Sequence, residues 1–167
     1  RNYLSKEILK LPKLKLAVIG HVEWMTFLKV DKLPIAGHIS HANTCFEEPA
    51  GGAAVAAMQM ARLTNGPVDL ITSLGNDSYG KKSYERLTKL GLNLKVAWRD
   101  KPTRKGISLT SKDGDRAITV IGERLQPIAS DKSIWKNIKN YDGVFVTATD
   151  EEGLKLARKA QFLSATP

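Results

Sequence analysis

Short apolar runs alternate with helix-like segments along most of this chain. Residues 14–20 (LKLAVIG), 68–74 (VDLITSL) and 141–147 (YDGVFVT) have the length and composition of buried strands. Residues 53–63 (AAVAAMQMARL) and about 79–90 follow two of these runs and have helical composition. Buried strands that alternate with helices form a parallel sheet with right-handed crossovers. We therefore predict an α/β fold, a Rossmann-like parallel sheet flanked by helices.

Two further segments do not suit the interior of such a sheet. Residues 27–45 and residues 106–121 each contain two partly alternating stretches around a turn. The second turn includes Asp113-Gly114, which is a strong hairpin signal. We predict that both segments form a small β lid that projects from the main sheet. Residues 151–160 then form an amphipathic helix.

Three local predictions concern the helices and the loop before the first of them. Residues 47–52 (EEPAGG) have the composition of a loop. The helix at 53–63 is apolar on nearly every side, so we expect it to be buried all round. In the next helix Tyr84, Leu87 and Leu90 form the apolar stripe that should face the core.

Composition excludes some classes of protein. The 167 residues carry a net charge of +9, but the basic residues are scattered, and no block of five or six like charges occurs. This distribution argues against a nucleic-acid-binding protein. No apolar run is long enough to span a membrane, so we expect no membrane association. The single cysteine, Cys45, cannot form an internal disulfide, which suits a cytoplasmic protein.

Several motifs occur in a characteristic order. Residues 17–24 (AVIGHVEW) lead into the first lid segment, residues 50–52 (AGG) open an alanine-rich helix, and residues 75–80 (GNDSYG) have the pattern G-x-D-x-x-G. Residues 102–125 then contain a Thr, a glycine and a Lys-Asp-Gly-Asp-Arg turn. In order and spacing, these motifs resemble the PfkB (ribokinase-like) family of sugar and nucleoside kinases, over about residues 14–165.

The resemblance implies a substrate pocket at the mouth of the sheet, where α/β proteins bind ligands. Glu23 follows the first core strand, in the region where the family has an Asn or Asp that accepts hydrogen bonds from sugar hydroxyls. Gly51 and Gly52 allow the backbone to approach a polyhydroxy ligand, and the first N–H groups of the helix can donate to it. Val55 stands where the family has a sugar-binding Asn, and Met25 where it has a second acidic residue. We therefore predict a divergent subgroup whose substrate the sequence does not name.

Other residues take supporting roles in this interpretation. Asn43 and Ile107 are the residues that we assign to the lid. Gly75, Asp77 and Gly80 form the structural motif, in which Asp77 bonds local N–H groups.

The resemblance also implies where the chemistry lies. The family's catalytic aspartate belongs to a Gly-Ala-Gly-Asp motif, which we expect C-terminal to residue 167, so this chain contains no catalytic residue. ATP and Mg²⁺ are implied for the full-length kinase and are not expected to bind this part alone. We predict the N-terminal substrate-binding part of an ATP-dependent sugar or nucleoside kinase, inactive by itself. Exposed lid strands can pair with a second copy to form a homodimer.

Alternatives from other classes remain open. A non-catalytic ligand-binding or regulatory module could use the same fold without the chemistry. A Rossmann dehydrogenase is disfavoured because Gly20 is followed by His21-Val-Glu-Trp instead of G-x-G-x-x-G. We interpret His21 as a turn residue or as a histidine whose hydrogen bonds are satisfied within the chain. A metal site at His38, His41 and Cys45 is disfavoured because no second pair of ligands accompanies them.

Overall fold

The structure, a computed structural model, describes residues 13–64 and 66–166. The strands of these residues form two sheets. The main sheet contains β1 (Leu16–Ile19), β4 (Val68–Gly75), β5 (Asn93–Arg99), β8 (Gly143–Val146) and β9 (Phe162–Ala165). Its order is β5-β4-β1-β8-β9, and each pair of neighbours runs parallel. The predicted parallel sheet is confirmed.

The second sheet is smaller, and we call it the lid sheet. It contains β2 (Glu23–Val30), β3 (Ala42–Ala50), β6 (Lys105–Thr110) and β7 (Arg116–Ile121). Its order is β3-β2-β6-β7, with antiparallel pairs at both sides and a parallel pair in the centre. The predicted small β layer beside the main sheet is therefore confirmed as well.

Helices cover both faces of the main sheet. They are α1 (Gly52–Thr64), α2 (Ser78–Lys89) and α3 (Glu151–Ala157), with a short 3₁₀ turn at Ile138–Asn140. Side chains of β1 alternate between the two resulting cores: Val18 packs with α1 and α2, whereas Ala17 and Ile19 pack towards α3. All three side chains are completely buried. In the described part of the chain, no helix has the length and apolar character needed to cross a membrane.

The helices are buried less extensively than their composition predicts. The expectation that α1 is buried all round is wrong, because Val55 is 52% exposed and Leu63 is 61% exposed. The helix covers one face of the sheet, and its other side forms part of the surface. In α2, the predicted stripe is also wrong at two positions, because Tyr84 and Leu90 are 39% and 38% exposed. Only Leu87 of that stripe is buried, and small residues at Gly80 and Ser83 complete the buried face.

The lid strands and α3 also differ from the predicted bounds. β2 begins at Glu23, and β3 continues through residues 47–50, which the sequence indicated as a loop. Pairing with β2 imposes an extended conformation on the Glu-Glu-Pro-Ala stretch, since cross-strand contacts outweigh weak local propensity. Pro49 is tolerated there because β3 is an edge strand. Helix α3 ends at Ala157 and does not reach residue 160.

The two sheets meet where β1 ends. The chain passes from Ile19 through Gly20 and enters β2 at Glu23, so the lid sheet starts at the carboxyl edge of the main sheet. Residues 51–52 connect the lid to α1 at the same edge. Both junctions therefore lie at the edge where α/β sheets bind ligands.

Candidate ligand-binding site

A cavity of about 510 Å³ lies at the junction of the two sheets. We call it the lid pocket. It is lined by His21, Glu23, Met25, Phe27, Ala50, Gly51, Gly52, Val55, Ala56, Ser108, Arg116 and Ile118. The end of β1, the lid sheet and the start of α1 all contribute to this lining. All four residues that the sequence predicted to bind substrate, Glu23, Gly51, Gly52 and Val55, are thus brought together.

The glycine turn is shaped by close contact with the segment after β1. Gly51 has a φ of +89°, and a Cβ at this position would lie 2.9 Å from the main-chain oxygen of His21. Such a backbone conformation strongly favours glycine. The amide of Ala53 donates to the same oxygen at 3.3 Å, so one helix N–H that we expected to serve a ligand is used within the chain. The tight turn is what allows α1 to start directly at the wall of the pocket.

Glu23 is a buried carboxylate with a histidine and two arginines close to it. Its Oε1 atom lies 3.3 Å from Nε2 of His21 and 3.4 Å from Nε of Arg104. The hydrogen bond from His21 lowers the pKa of Glu23, and its proximity to Arg104 and Arg124 acts in the same direction, which outweighs the effect of burial. Glu23 is therefore ionised at neutral pH and can accept hydrogen bonds from ligand hydroxyls.

His21 has a larger role than the sequence indicated. The sequence indicated a turn residue or a histidine satisfied within the chain; its ring contacts Glu23 and also lines the lid pocket. Its Nε2 atom also lies 3.5 Å from the amide of Gly52. Nε2 can donate to the carboxylate or accept from the amide, but it cannot do both at once. Since the contact with Glu23 is shorter, we assign the proton to Nε2 and conclude that His21 orients the carboxylate.

Arginines reach this region from a distant part of the sequence. Arg104 precedes β6, and Arg116 begins β7 and lines the pocket. Neither was predicted as a site residue. In the sequence they are two basic residues among many, and only the pairing of β6 with β2 and β7 brings Arg104 to Glu23 and Arg116 to the far end of the same pocket.

One wall of the pocket is apolar. Val55 and Ala56 contribute from α1, and Met25 and Phe27 contribute from β2. Met25 has room there because Gly106 on the neighbouring strand has no side chain, and a Cβ at that position would overlap the Met25 sulfur. Val55 and Met25, the two positions that depart from the family pattern, thus both face the same cavity.

The residues assigned to the lid lie outside the lining. Asn43 is exposed on β3 and donates to Oδ1 of Asp31 at 2.9 Å. Ile107 lies on β6, and its neighbour Ser108 is the residue that lines the pocket. A functional role of Asn43 or Ile107 within the lid stays a prediction.

The motif around Asp77 has the expected structural geometry. Asp77 caps α2, and its carboxylate accepts from the amide of Gly80 at 2.8 Å. It also accepts from the amide and the hydroxyl of Thr103, at 2.8 and 2.7 Å. A side chain at Gly75 would lie 2.5 Å from the carbonyl oxygen of Lys101, so close packing explains this glycine. The motif connects α2 to the segment that leads into β6.

No metal centre is formed by the described residues. Among residues 13–64 and 66–166, no three His, Cys, Asp or Glu side chains are grouped closely enough to hold an ion. Cys45 is exposed on β3. His38 and His41 are exposed in the segment between β2 and β3.

These features define a class of protein: an α/β domain in which a β lid lies over a pocket with a buried carboxylate and an apolar wall, at the carboxyl edge of a parallel sheet. The family described as pfkB family carbohydrate kinase matches residues 13–164. The chain therefore belongs to the pfkB carbohydrate kinase family. Among curated proteins, no sequence matches the chain significantly.

Solved structures share this fold at low sequence identity. Ribokinase from Giardia lamblia superposes with a TM-score of 0.79 at 14% identity, over 93% of this chain and 51% of that one. Arabidopsis thaliana ribokinase, solved with ribose and ATP, gives 0.68 at 20% identity, over 91% and 53%. Escherichia coli phosphofructokinase-2, in complex with fructose-6-phosphate, gives 0.71 at 11% identity, over 92% and 55%. The chain thus spans about half the length of these kinases, and the likeness establishes the fold.

Proposed function

We propose that this chain supplies the substrate pocket and lid of an ATP-dependent kinase that phosphorylates a hydroxyl group of a sugar or nucleoside. The observation that carries this proposal is the position of Glu23 beside the glycine turn in the lid pocket. An ionised, buried carboxylate can accept hydrogen bonds from two neighbouring hydroxyls. Membership of a carbohydrate kinase family and the ribokinase-like fold support the same function.

The residues of the chain would bind and shield the substrate. Glu23 would fix the orientation of the hydroxyls, with His21 holding its carboxylate in place. The lid sheet would limit access of water to the transferred phosphoryl group. When bound, ATP would supply that group. The described residues form no cluster of side chains that would hold Mg²⁺. We propose that residues 1–167 alone do not transfer phosphate.

The binding role can be tested by isothermal titration calorimetry on the chain. We expect ribose, a hexose or a nucleoside to bind, and Glu23→Gln to weaken that binding by about tenfold. Glu85→Gln provides a matched control, because Glu85 is exposed on α2 and does not line the lid pocket. If none of these compounds binds, or if Glu23→Gln and Glu85→Gln behave alike, the substrate pocket is misassigned.

A non-catalytic ligand-binding module is the second candidate. Val55 favours it, because an apolar side chain cannot replace the amide of the family's sugar-binding Asn. Such a module would bind its ligand without transferring phosphate to it, and ligand binding would not depend on ATP. A protein that spans the full length of the family, assayed for phosphate transfer to a bound ligand, distinguishes the two candidates.

We also propose that the lid sheet pairs with a second copy of the chain. Its edge strands, β3 and β7, expose Phe46 and Ile121, which are 50% and 51% accessible. Unpaired edges that carry apolar side chains favour association. Sedimentation velocity should show a dimer, and a Phe46→Lys variant should be monomeric. A cytoplasmic location remains a prediction that follows from the absence of disulfide pairing.

A further inference from the structure

A second cavity, of about 560 Å³, lies beside the lid pocket and has a strongly positive lining. We call it the basic cavity. Four cationic side chains line it, and only one carboxylate accompanies them: Arg99, Lys101, Arg104, Arg124 and Glu123. It borders the lid pocket because Arg104 lines the basic cavity while its Nε atom contacts Glu23.

Two of the four cations are already paired. Arg99 makes a bidentate contact with Asp131, at 2.7 and 2.5 Å, and this pair is largely buried. Lys101 contacts Glu123 at 2.7 Å, and both of these side chains are exposed. Neither cation therefore needs a ligand to balance its charge.

The positive charges of the other two residues, Arg104 and Arg124, are not fully balanced by neighbouring carboxylates. Nε of Arg104 is buried and has no hydrogen-bond acceptor within the described residues. Its nearest carboxylate oxygen, on Glu23, is 3.4 Å away and is also in contact with His21. For Arg124, the described part of the chain contains no carboxylate within ion-pairing distance. Two guanidinium groups with spare N–H donors form a suitable site for a phosphate or a carboxylate.

We propose that the substrate of this chain carries an oxyanion group, which Arg104 and Arg124 hold in the basic cavity while Glu23 binds its hydroxyls. The inference rests on the proposed function, and it narrows the substrate class to phosphorylated or carboxylated sugars. Arg116, which lines the lid pocket, adds positive potential to that pocket. A neutral sugar would leave Arg124 without an anionic partner among the described residues, and Arg104 with only its 3.4 Å contact to Glu23.

Calorimetry on the chain tests this inference by comparing ribose with ribose 5-phosphate and gluconate. We expect at least one anionic compound to bind about tenfold more tightly than ribose. The ratio of the two dissociation constants should fall by about fivefold in Arg124→Gln and in Arg104→Gln. Arg158→Gln is the matched control: it removes the same charge from the exposed C-terminal end of α3 and should leave the ratio unchanged. Circular dichroism confirms that each variant is folded.

Each outcome separates this inference from the proposed function. Equal affinity for ribose and for both anionic sugars overturns the inference and leaves the proposed function standing. The inference is also overturned if the ratio of the dissociation constants is unchanged in both Arg104→Gln and Arg124→Gln, or if it falls by the same factor in Arg158→Gln. ATP without Mg²⁺ is a further arm: ATP binding that is as tight as that of ribose 5-phosphate and depends on Arg124 assigns the site to the phosphate donor, against the inference.

If no sugar binds, a titration with inorganic phosphate tests the basic cavity by itself. Amide chemical shifts of Lys105 and Leu125, next to the two arginines, report on the basic cavity. If phosphate shifts these resonances and no sugar binds, the oxyanion site stands and the proposed function fails. If phosphate leaves them unchanged as well, both fail.

Discussion

Replacing Asp77 with alanine removes the cap of α2 and its connection to Thr103 together. The carboxylate accepts three hydrogen bonds, one from the amide of Gly80 and two from Thr103. Thr103 is only 3% exposed, so its amide and hydroxyl have little access to water when Asp77 is removed. The variant therefore loses a helix cap and also leaves buried donors without acceptors.

The magnitude follows from these two contributions. Loss of an N-cap costs about 1 kcal/mol, and a buried donor without a partner costs about 1–3 kcal/mol. We expect Asp77→Ala to lower the free energy of unfolding by about 3 kcal/mol, which corresponds to a decrease in Tm of roughly 6–12 °C. Urea denaturation at pH 7, followed by tryptophan fluorescence and circular dichroism, measures this change. Asp113→Ala, in the turn between β6 and β7, is the control and should change stability by less than about 0.5 kcal/mol.

The effect should also depend on pH. Burial raises the pKa of Asp77, but the hydrogen bonds from Gly80 and Thr103 outweigh burial, and the net pKa is lowered. A carboxylate of this kind stabilises the fold above its unfolded pKa, and the stabilisation is lost as the pH falls through its folded value. The difference between wild type and Asp77→Ala should therefore shrink below about pH 4. A loss smaller than about 1 kcal/mol at pH 7, or one that is equal at pH 7 and pH 3, would refute this reasoning.

Three further substitutions test other parts of the structure by the same denaturation assay. Tyr141→Phe should cost about 1–3 kcal/mol, because Asp69 loses a hydrogen bond from the tyrosine hydroxyl. Burial and Asp69 raise the pKa of Tyr141, so the wild type should lose stability as the pH rises above about 10, and the variant should lose less. Gly51→Ala should cost about 2 kcal/mol and weaken ligand binding, because φ at this position is +89°. Arg86→Gln should change stability only slightly, and less at high salt, because its bidentate pair with Glu48 is partly exposed.

The lid pocket combines residues that the sequence separates widely. Glu23 lies just after β1, the glycine turn follows β3, and Arg116 belongs to the last lid strand. The carboxylate of Glu23 lies beside His21 and Arg104, and part of the pocket wall around it is apolar. This combination suits a ligand that presents both hydroxyls and a negative charge, and the calorimetric series above measures each contribution separately.

Local sequence predicted several strands, helix caps and turns correctly. The apolar run before Gly20 became β1, with three consecutive side chains completely buried. Asp77 caps α2 as expected, and the Asp113-Gly114 turn joins β6 to β7. These features depend on contacts between residues that are close in the chain, so composition and spacing are sufficient to indicate them.

Local sequence was misleading where burial or strand formation depends on the neighbouring elements. The alanine-rich composition of α1 indicated full burial, yet Val55 is half exposed, because burial depends on which layers lie over the helix. Residues 47–50 have the composition of a loop, but pairing with β2 makes them part of a strand. The stripe of α2 was misplaced because small residues, and not the largest ones, allow the helix to approach the sheet.

The sequence by itself determined the fold class, the order of its elements and two parts of the candidate site, Glu23 and the glycine turn. Only the tertiary structure showed that His21 orients Glu23, and that Arg104 and Arg124 lie together beside it. The physical reason is the range of the interactions involved. Backbone conformation and burial periodicity are set mostly by neighbours along the chain, whereas the charge around a site is the sum of side chains from many segments. That sum becomes visible only when the parallel pairing of β2 with β6 has brought those segments together.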